Sequence, residues 1–280
     1  MVRCRPLGWA AMHRFVTISI SHYCEKVRWA LDWAGEPYVE SAHLPLLHWA
    51  SSFGAGAGRT VPVLVADDGE VLGDSTDILR WLDRRQPELG LYGDTAEKRQ
   101  EIEALEDLFD EKLGPATRRW GYYHLLPHKE LTLAYASQWV PNSEVWALRA
   151  SFPLVRALLR RGLGIDAAGA ARSKERIDAV MQQVSQLLAD GRPFLAGERI
   201  SAADLTFAAL ASPLLQPPEH PLPFPPLPQL PEVMRRDVEL ARATPAGEFG
   251  LRLYRERGQV HPLSPLRLSR HPRAHAVPQT

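Results

Sequence analysis

Hydrophobic residues change rhythm partway along this chain, and that change limits the fold more than any single motif does. Up to about residue 85 the pattern alternates. FVTISI (15–20) is short, β-branched and apolar, as a buried strand should be. In 22–35, Tyr23, Val27, Ala30, Leu31 and Ala34 recur at spacings of three and four, which gives one apolar helix face closed by Gly35. YVESAHL (38–44) reads as a second strand. VPVLVADDGEVLGDS (61–75) reads as two strands around an Asp-Asp-Gly-Glu turn, and STDILRWLDRR (75–85) as a helix that Pro87 prevents from continuing. From Asp94 onward only helical periodicity remains. Asp94 and Glu97 have cap spacing ahead of Ile102, Leu105, Leu108 and Phe109. A second stripe runs through Ile177, Val180, Val184, Leu187 and Leu188. Ser201 and Asp204 form a capping pattern before Leu205, Phe207, Leu210 and Leu214, with Ile200 as a hydrophobic staple.

This organisation predicts an α/β unit over 15–86 followed by an all-helical domain over 94–257. Residues 117–172 are rich in aromatics and read as helices broken by Pro127, Pro141 and Pro153. Residues 216–231 hold eight of the 24 prolines, a composition expected to give an extended connector rather than a ligand for an SH3-type module. Residues 1–14 read as an extension, the first eleven as a superfluous start, and 258–280 as a disordered tail.

Composition narrows the function classes. The 280 residues carry 33 Lys+Arg and 33 Asp+Glu, a balance that argues against an electrostatic binder of nucleic acid. No apolar run is long enough for a membrane-spanning helix. Two cysteines, Cys4 and Cys24, make no disulfide framework, which favours a reducing compartment and predicts a cytoplasmic location.

The most informative segment is Ser21-His22-Tyr23-Cys24-Glu25-Lys26-Val27-Arg28, where a buried strand turns into a helix. Ser21 suits an N-cap, and the unsatisfied N–H groups of a first turn favour an anion such as a thiolate. Lowering a thiol pKa by about two units corresponds to roughly 2.7 kcal/mol. By itself the same segment also fits a capped helix with a buried cysteine. Gly54, Gly56 and Gly58 do not complete a nucleotide-binding loop, because Arg59 replaces the last glycine. His124 and His128 lack the helix and the carboxylates of a metal site, so no metal is expected. Trp120, Tyr122, Tyr123, Trp139 and Trp146 fit either a hydrophobic pocket or a core.

The order of a strand, a Ser-x-x-Cys helix start, Val61-Pro62-Val63-Leu64, Asp74-Ser75-Thr76 opening a helix, and then a helical second half resembles the cytosolic glutathione transferases. The resemblance covers about 15–85 and 173–215, and 117–172 lies outside it. It implies a thioredoxin-like N-terminal domain with Pro62 as a cis-proline. The Val61 backbone would pair with the cysteinyl part of glutathione, and Asp74 and Ser75 would hold its γ-glutamyl end. His48 and Arg59 would stand near its glycine carboxylate. Ser21 stands where some classes carry a catalytic serine and others a cysteine, and Cys24 falls at the second cysteine position of the thioredoxin pattern. His22 replaces a proline often found there, so the class stays open.

What the resemblance implies is a homodimeric enzyme that uses glutathione as co-substrate and adds its thiolate to a small hydrophobic electrophile bound between the domains, around 105–125. Two alternatives remain: a glutathione-dependent thioltransferase working through Cys24, and a non-catalytic protein of the same fold that binds a ligand or partner.

Overall fold

The computed structural model describes residues 12–260 and 268–269; the expected superfluous start, 1–11, and the remainder of the expected tail lie outside the described residues. Strand β1 (His13–Ile18) leads through helix α1 (His22–Ala34) to β2 (Tyr38–His43), which pairs with β1 in parallel. A short α2 (His48–Gly54) precedes the hairpin β3 (Val63–Val65) and β4 (Val71–Leu72). Helix α3 (Ser75–Arg85) closes the unit. The sheet order is β4-β3-β1-β2-β5, where β5 (Leu268–Ser269) is parallel to β2, and β3 runs antiparallel to β1. These elements follow the alternating order read from the sequence, but β1 begins at His13, inside the expected 1–14 extension, and ends at Ile18, short of the expected 20. α1 is capped by Ser21 and ended by Gly35 at φ 66°, a left-handed conformation that glycine adopts without a Cβ penalty.

The helical half comprises α4 (Ala96–Leu108), a π-helical turn at Phe109–Leu113, α5 (Gly114–Leu125), α6 (Lys129–Ala136), α7 (Asn142–Leu163), α8 (Ala167–Leu187), α9 (Ala202–Leu215), α10 (Glu232–Arg242) and α11 (Pro245–Val260). The central helix is α9. Twelve of its residues from Ala202 to Leu214 are buried, and it packs against α1, α4, α5 and α11. An all-round apolar helix of this kind belongs in a core. Its capping box forms as the sequence predicts, with Asp204 accepting from the Ser201 backbone and hydroxyl and also from Leu195 N–H at 2.8 Å.

Further expectations need correction. The cap of α4 is Thr95, which accepts from Lys98 N–H, and not Asp94 one residue earlier. Pro153 does not break its helix: it sits exposed inside α7, which runs through it. The chain from 258 continues α11 to Val260, and Leu268–Ser269 forms a strand, so these positions carry secondary structure within the segment read as a tail. The proline-rich segment is not uniformly extended: it starts with Gln216 at φ 45°, turns at 217–220 where His220 N–H donates to the Pro217 carbonyl, and carries a short 3-10 turn at Leu227–Gln229, with His220, Leu222 and Leu230 buried.

Residues 117–172 supply α5, α6, α7 and the start of α8. α6 and α7 make a small apolar cluster of their own with Ala42 and Leu44 at the end of β2. Glu144 in the first turn of α7 fastens this unit to the sheet. It accepts from Leu44 N–H at 2.8 Å and meets His43 Nδ1 at 2.6 Å, while His43 Nε2 contacts Ser51 Oγ at 2.8 Å.

Two buried polar bridges join the halves. Lys26 of α1 pairs with Glu106 and Asp110, each at 2.8 Å, and Tyr92 donates to Glu106. On the other side, Arg257 of α11 reaches Glu25 and Asp32 of α1 and lies 4.7 Å over the Trp29 ring, and Arg28 pairs with Glu25 and Glu40. Removing one partner from such a pair strands a buried charge, at a cost of about 3–5 kcal/mol.

Asp204 offers a direct test of the central helix. Asp204→Ala removes the cap and leaves the buried Leu195 and Ser201 N–H groups without acceptors. Urea titration should show a loss of roughly 2–4 kcal/mol. An unchanged midpoint would mean that the box is not what seats α9.

Candidate functional site

A cavity of about 340 Å³ opens between the two halves. On one side it is walled by Ser21, His22 and Tyr23 of the α1 start and by Thr60 and Val61 ahead of β3. On the other stand Thr117, Arg118, Gly121, Tyr122 and Leu125 of α5. The α5 positions fall at spacings of one helical face, so a single helix supplies that wall. Gly121 keeps the wall open: a Cβ there would meet nothing within 4 Å. Phe224 of the proline-rich segment, stacked on Tyr135 with ring centroids 5.3 Å apart, closes the far end.

Ser21 stands at φ −75°, ψ 121° as the cap of α1. Its Oγ accepts from Cys24 N–H at 3.4 Å and also lies against the Cys24 thiol, and Ser21 is among the residues that line the cavity. The neighbours are already committed. His22 Nε2 lies 3.0 Å from the Gly114 carbonyl, which fixes that nitrogen as the donor, and burial with help from Arg118 lowers its pKa to about 3. The ring is therefore neutral at physiological pH. Tyr23 donates its hydroxyl to the Asp110 carbonyl at 2.8 Å, and burial moves its pKa well above the ordinary tyrosine value. Both acceptor carbonyls belong to the π-helical turn and its end, where the register of the helix ladder shifts. The sequence pattern gave no signal for this turn.

Cys24 lies three residues on and points into the core. It is fully buried, does not line the cavity, and burial pushes its thiol up to about 11 despite nearby Arg28.

The remaining expected residues divide into two groups. The Val61–Pro62 bond is cis, and Val61 lines the cavity just beyond the sheet rung Val16–Val63. His48 and Arg59 line it too, with His48 Nε2 2.9 Å from the Arg59 carbonyl and the Arg59 guanidinium 5.4 Å over the Trp49 ring. Asp74 and Ser75 do not line it. They open α3, with Asp74 exposed and accepting from Thr76 N–H at 2.8 Å and Ser75 buried. Of the five aromatics singled out in the sequence, Tyr122 lines the cavity. Trp120 is core and donates to Asp237, and Trp146 is 74% exposed on α7. Among the described residues no cluster of His, Cys, Asp and Glu suits a metal ion, and no helix is long and apolar enough to cross a membrane.

Residues 15–90 match the family model for the glutathione S-transferase N-terminal domain. The fold resembles a glutathione S-transferase from Rhodospirillum rubrum F11, 22% identical, covering 93% of this chain and 97% of that one with a TM-score of 0.54. It also resembles one from Methylobacterium radiotolerans in complex with glutathione sulfonate (19% identical, 86% and 94% covered, TM-score 0.52). A third, from Methylobacillus flagellatus with glutathione bound, is 17% identical, with 86% and 93% covered and a TM-score of 0.53. Comparison with curated proteins gave no match. The segment 15–90 is thus a glutathione S-transferase N-terminal domain, thioredoxin-like in fold. With the helical half that follows, the chain has the glutathione S-transferase architecture.

Burial of Cys24 has a measurable consequence. Its thiol stays protonated through neutral and mildly alkaline pH, whereas in the unfolded chain it ionises as an ordinary thiol. Iodoacetamide labelling at pH 8, read by mass spectrometry of the Cys24 peptide, should be at least about a hundredfold slower in native than in urea-unfolded protein. Equal rates would contradict the placement.

Proposed function

We infer that the protein binds glutathione against Val61, stabilises its thiolate with the Ser21 hydroxyl, and adds that sulfur to an electrophilic carbon of a small, largely apolar molecule held against α5. The observation that carries this reading is the position of Ser21: its Oγ caps α1 at the wall of a cavity that Val61 also lines, while His22 Nε2 and the Tyr23 hydroxyl are engaged elsewhere. A hydroxyl donor together with the first N–H groups of a helix favours the thiolate over the thiol. The serine forms no covalent bond. The thiol proton passes to solvent and the sulfur supplies the electron pair of the new bond.

The other assignments come from the resemblance to the glutathione transferases. Arg59 and His48 stand at the cavity edge suited to the glycine carboxylate. Asp74 and Ser75 at the start of α3 suit the γ-glutamyl end, with a carboxylate for its ammonium and helix N–H groups for its carboxylate. The glutathione sulfonate bound by the Methylobacterium protein and the glutathione bound by the Methylobacillus protein support glutathione as co-substrate. Exposed Leu47, Trp49 and Phe53 beside α2 support the homodimer that the resemblance implies, and the buried free thiol of Cys24 suits a reducing cytoplasm. A thioltransferase working through Cys24 would need that thiol at the surface and ionised, and its surroundings oppose both.

Ser21→Ala should lower kcat/KM for conjugation of a chloronitrobenzene about 10²–10³-fold, the range for loss of one preorganised donor, whereas Cys24→Ser should retain the activity. The reverse pattern would favour the thioltransferase. Asp74→Ala should weaken glutathione binding by roughly 1.5–3 kcal/mol in calorimetry, and an unchanged Kd would remove its role.

A further inference from the structure

Arg118 is the one cation on the helical wall of the cavity. It projects from α5 one turn after Gly114, between Thr117 and the open position at Gly121, and is half-buried. Its neighbour Arg119 is occupied, donating to the Leu163 carbonyl at 2.8 Å and to Ser173 Oγ at 3.0 Å. Among the described residues Arg118 has no carboxylate within salt-bridge distance. The other arginine on the cavity, Arg59, stands on the opposite wall, where the glutathione reading assigns it to the tripeptide. Among the described residues no aspartate or glutamate lines the cavity, whose lining includes the apolar Leu125, Leu159, Leu163 and Phe224, and Arg118 also borders a second, more polar pocket with Pro115, Arg119, Gly162, Leu163 and Gly164. Arg118 shares the lining of this cavity with His22, Tyr23 and Tyr122.

A guanidinium in such a setting has few choices. Left alone it is partly desolvated without compensation. Its planar fork matches a carboxylate or similar oxyanion with two parallel hydrogen bonds, and apolar surroundings strengthen the pairing relative to water. Neutral His22 does not compete for that anion. We propose that the second substrate is an amphipathic organic acid, with an apolar body against α5 and Phe224 and a carboxylate held by Arg118, which makes Arg118 the residue that sets substrate charge. The proposal rests on the glutathione reading for the reaction itself, though not for the binding of the acid.

A matched pair of electrophiles tests it: 4-chloro-3-nitrobenzoate and its methyl ester. In both, the glutathione sulfur bonds to the ring carbon, the carbon–chlorine bond breaks, chloride leaves and the thiol proton goes to solvent. Each kcat/KM is divided by the uncatalysed rate constant, and the acid-to-ester ratio is compared across the wild type, Arg118→Leu and Arg118→Lys. The ratio should fall at least tenfold in Arg118→Leu, chiefly through KM for the acid, and recover in part in Arg118→Lys. Turnover with a ratio unchanged within twofold overturns the proposal and leaves the glutathione reading standing. If neither compound is turned over, the glutathione reading fails, and calorimetry with the acid alone decides the proposal. Binding that weakens at least tenfold in Arg118→Leu supports it, and absent or Arg118-independent binding overturns it.

Discussion

The seam between the first turn of α1 and the π-helical turn ahead of α5 holds the whole arrangement. His22 donates to the Gly114 carbonyl, Tyr23 to the Asp110 carbonyl, and one turn later Lys26 pairs with Glu106 and Asp110. An ordinary α-helix spends its carbonyls on its own ladder. A widened turn shifts that register at the point where a second domain supplies donors. Gly114 belongs to the same seam, because a Cβ there would collide with the Tyr23 hydroxyl. Ser21 immediately precedes these anchors, so the contacts that dock the domains also set the distance from its hydroxyl to the α5 wall.

That seam explains why the polar residues of α1 are divided as they are. His22, Tyr23 and Lys26 belong to the interface, Glu25 and Arg28 to the buried cluster completed by Arg257, and Cys24 to the core. Ser21, at the cap, lines the cavity together with His22 and Tyr23. Seven of the first eight residues from His22 are buried, so the motif is mostly architecture with one chemical group at its edge.

Much of the fold was legible because its local signals agree with each other. The Ser21 cap, the Gly35 stop, the Asp-Asp-Gly-Glu turn and the Ser201–Asp204 box each act within a few residues, and each forms. The failures were also physical. Thr95 and Asp94 are both good caps, and spacing cannot choose between neighbours. Pro153 is tolerated because its face of α7 is exposed, a property of tertiary structure. In the site, Ser21, Val61, His48 and Arg59 were accessible through the resemblance, which covers the first domain. Arg118, Gly121 and Phe224 were not. They lie in segments where the sequence shows only helix and proline, and their convergence on one cavity depends on how α5 and the proline-rich connector pack. Arg118 stands next to Arg119 with nothing in the sequence to separate the charge that faces the cavity from the one tied to α7 and α8.

The account turns on where the sulfur of glutathione comes to rest. A crystal structure of the protein soaked with glutathione tests this most directly. It should show the tripeptide backbone paired with Val61 and the sulfur within hydrogen-bonding distance of Ser21 Oγ, on the cavity side of α1. Density for a sulfur bonded to Cys24, or a cavity that stays closed to the tripeptide, would contradict it.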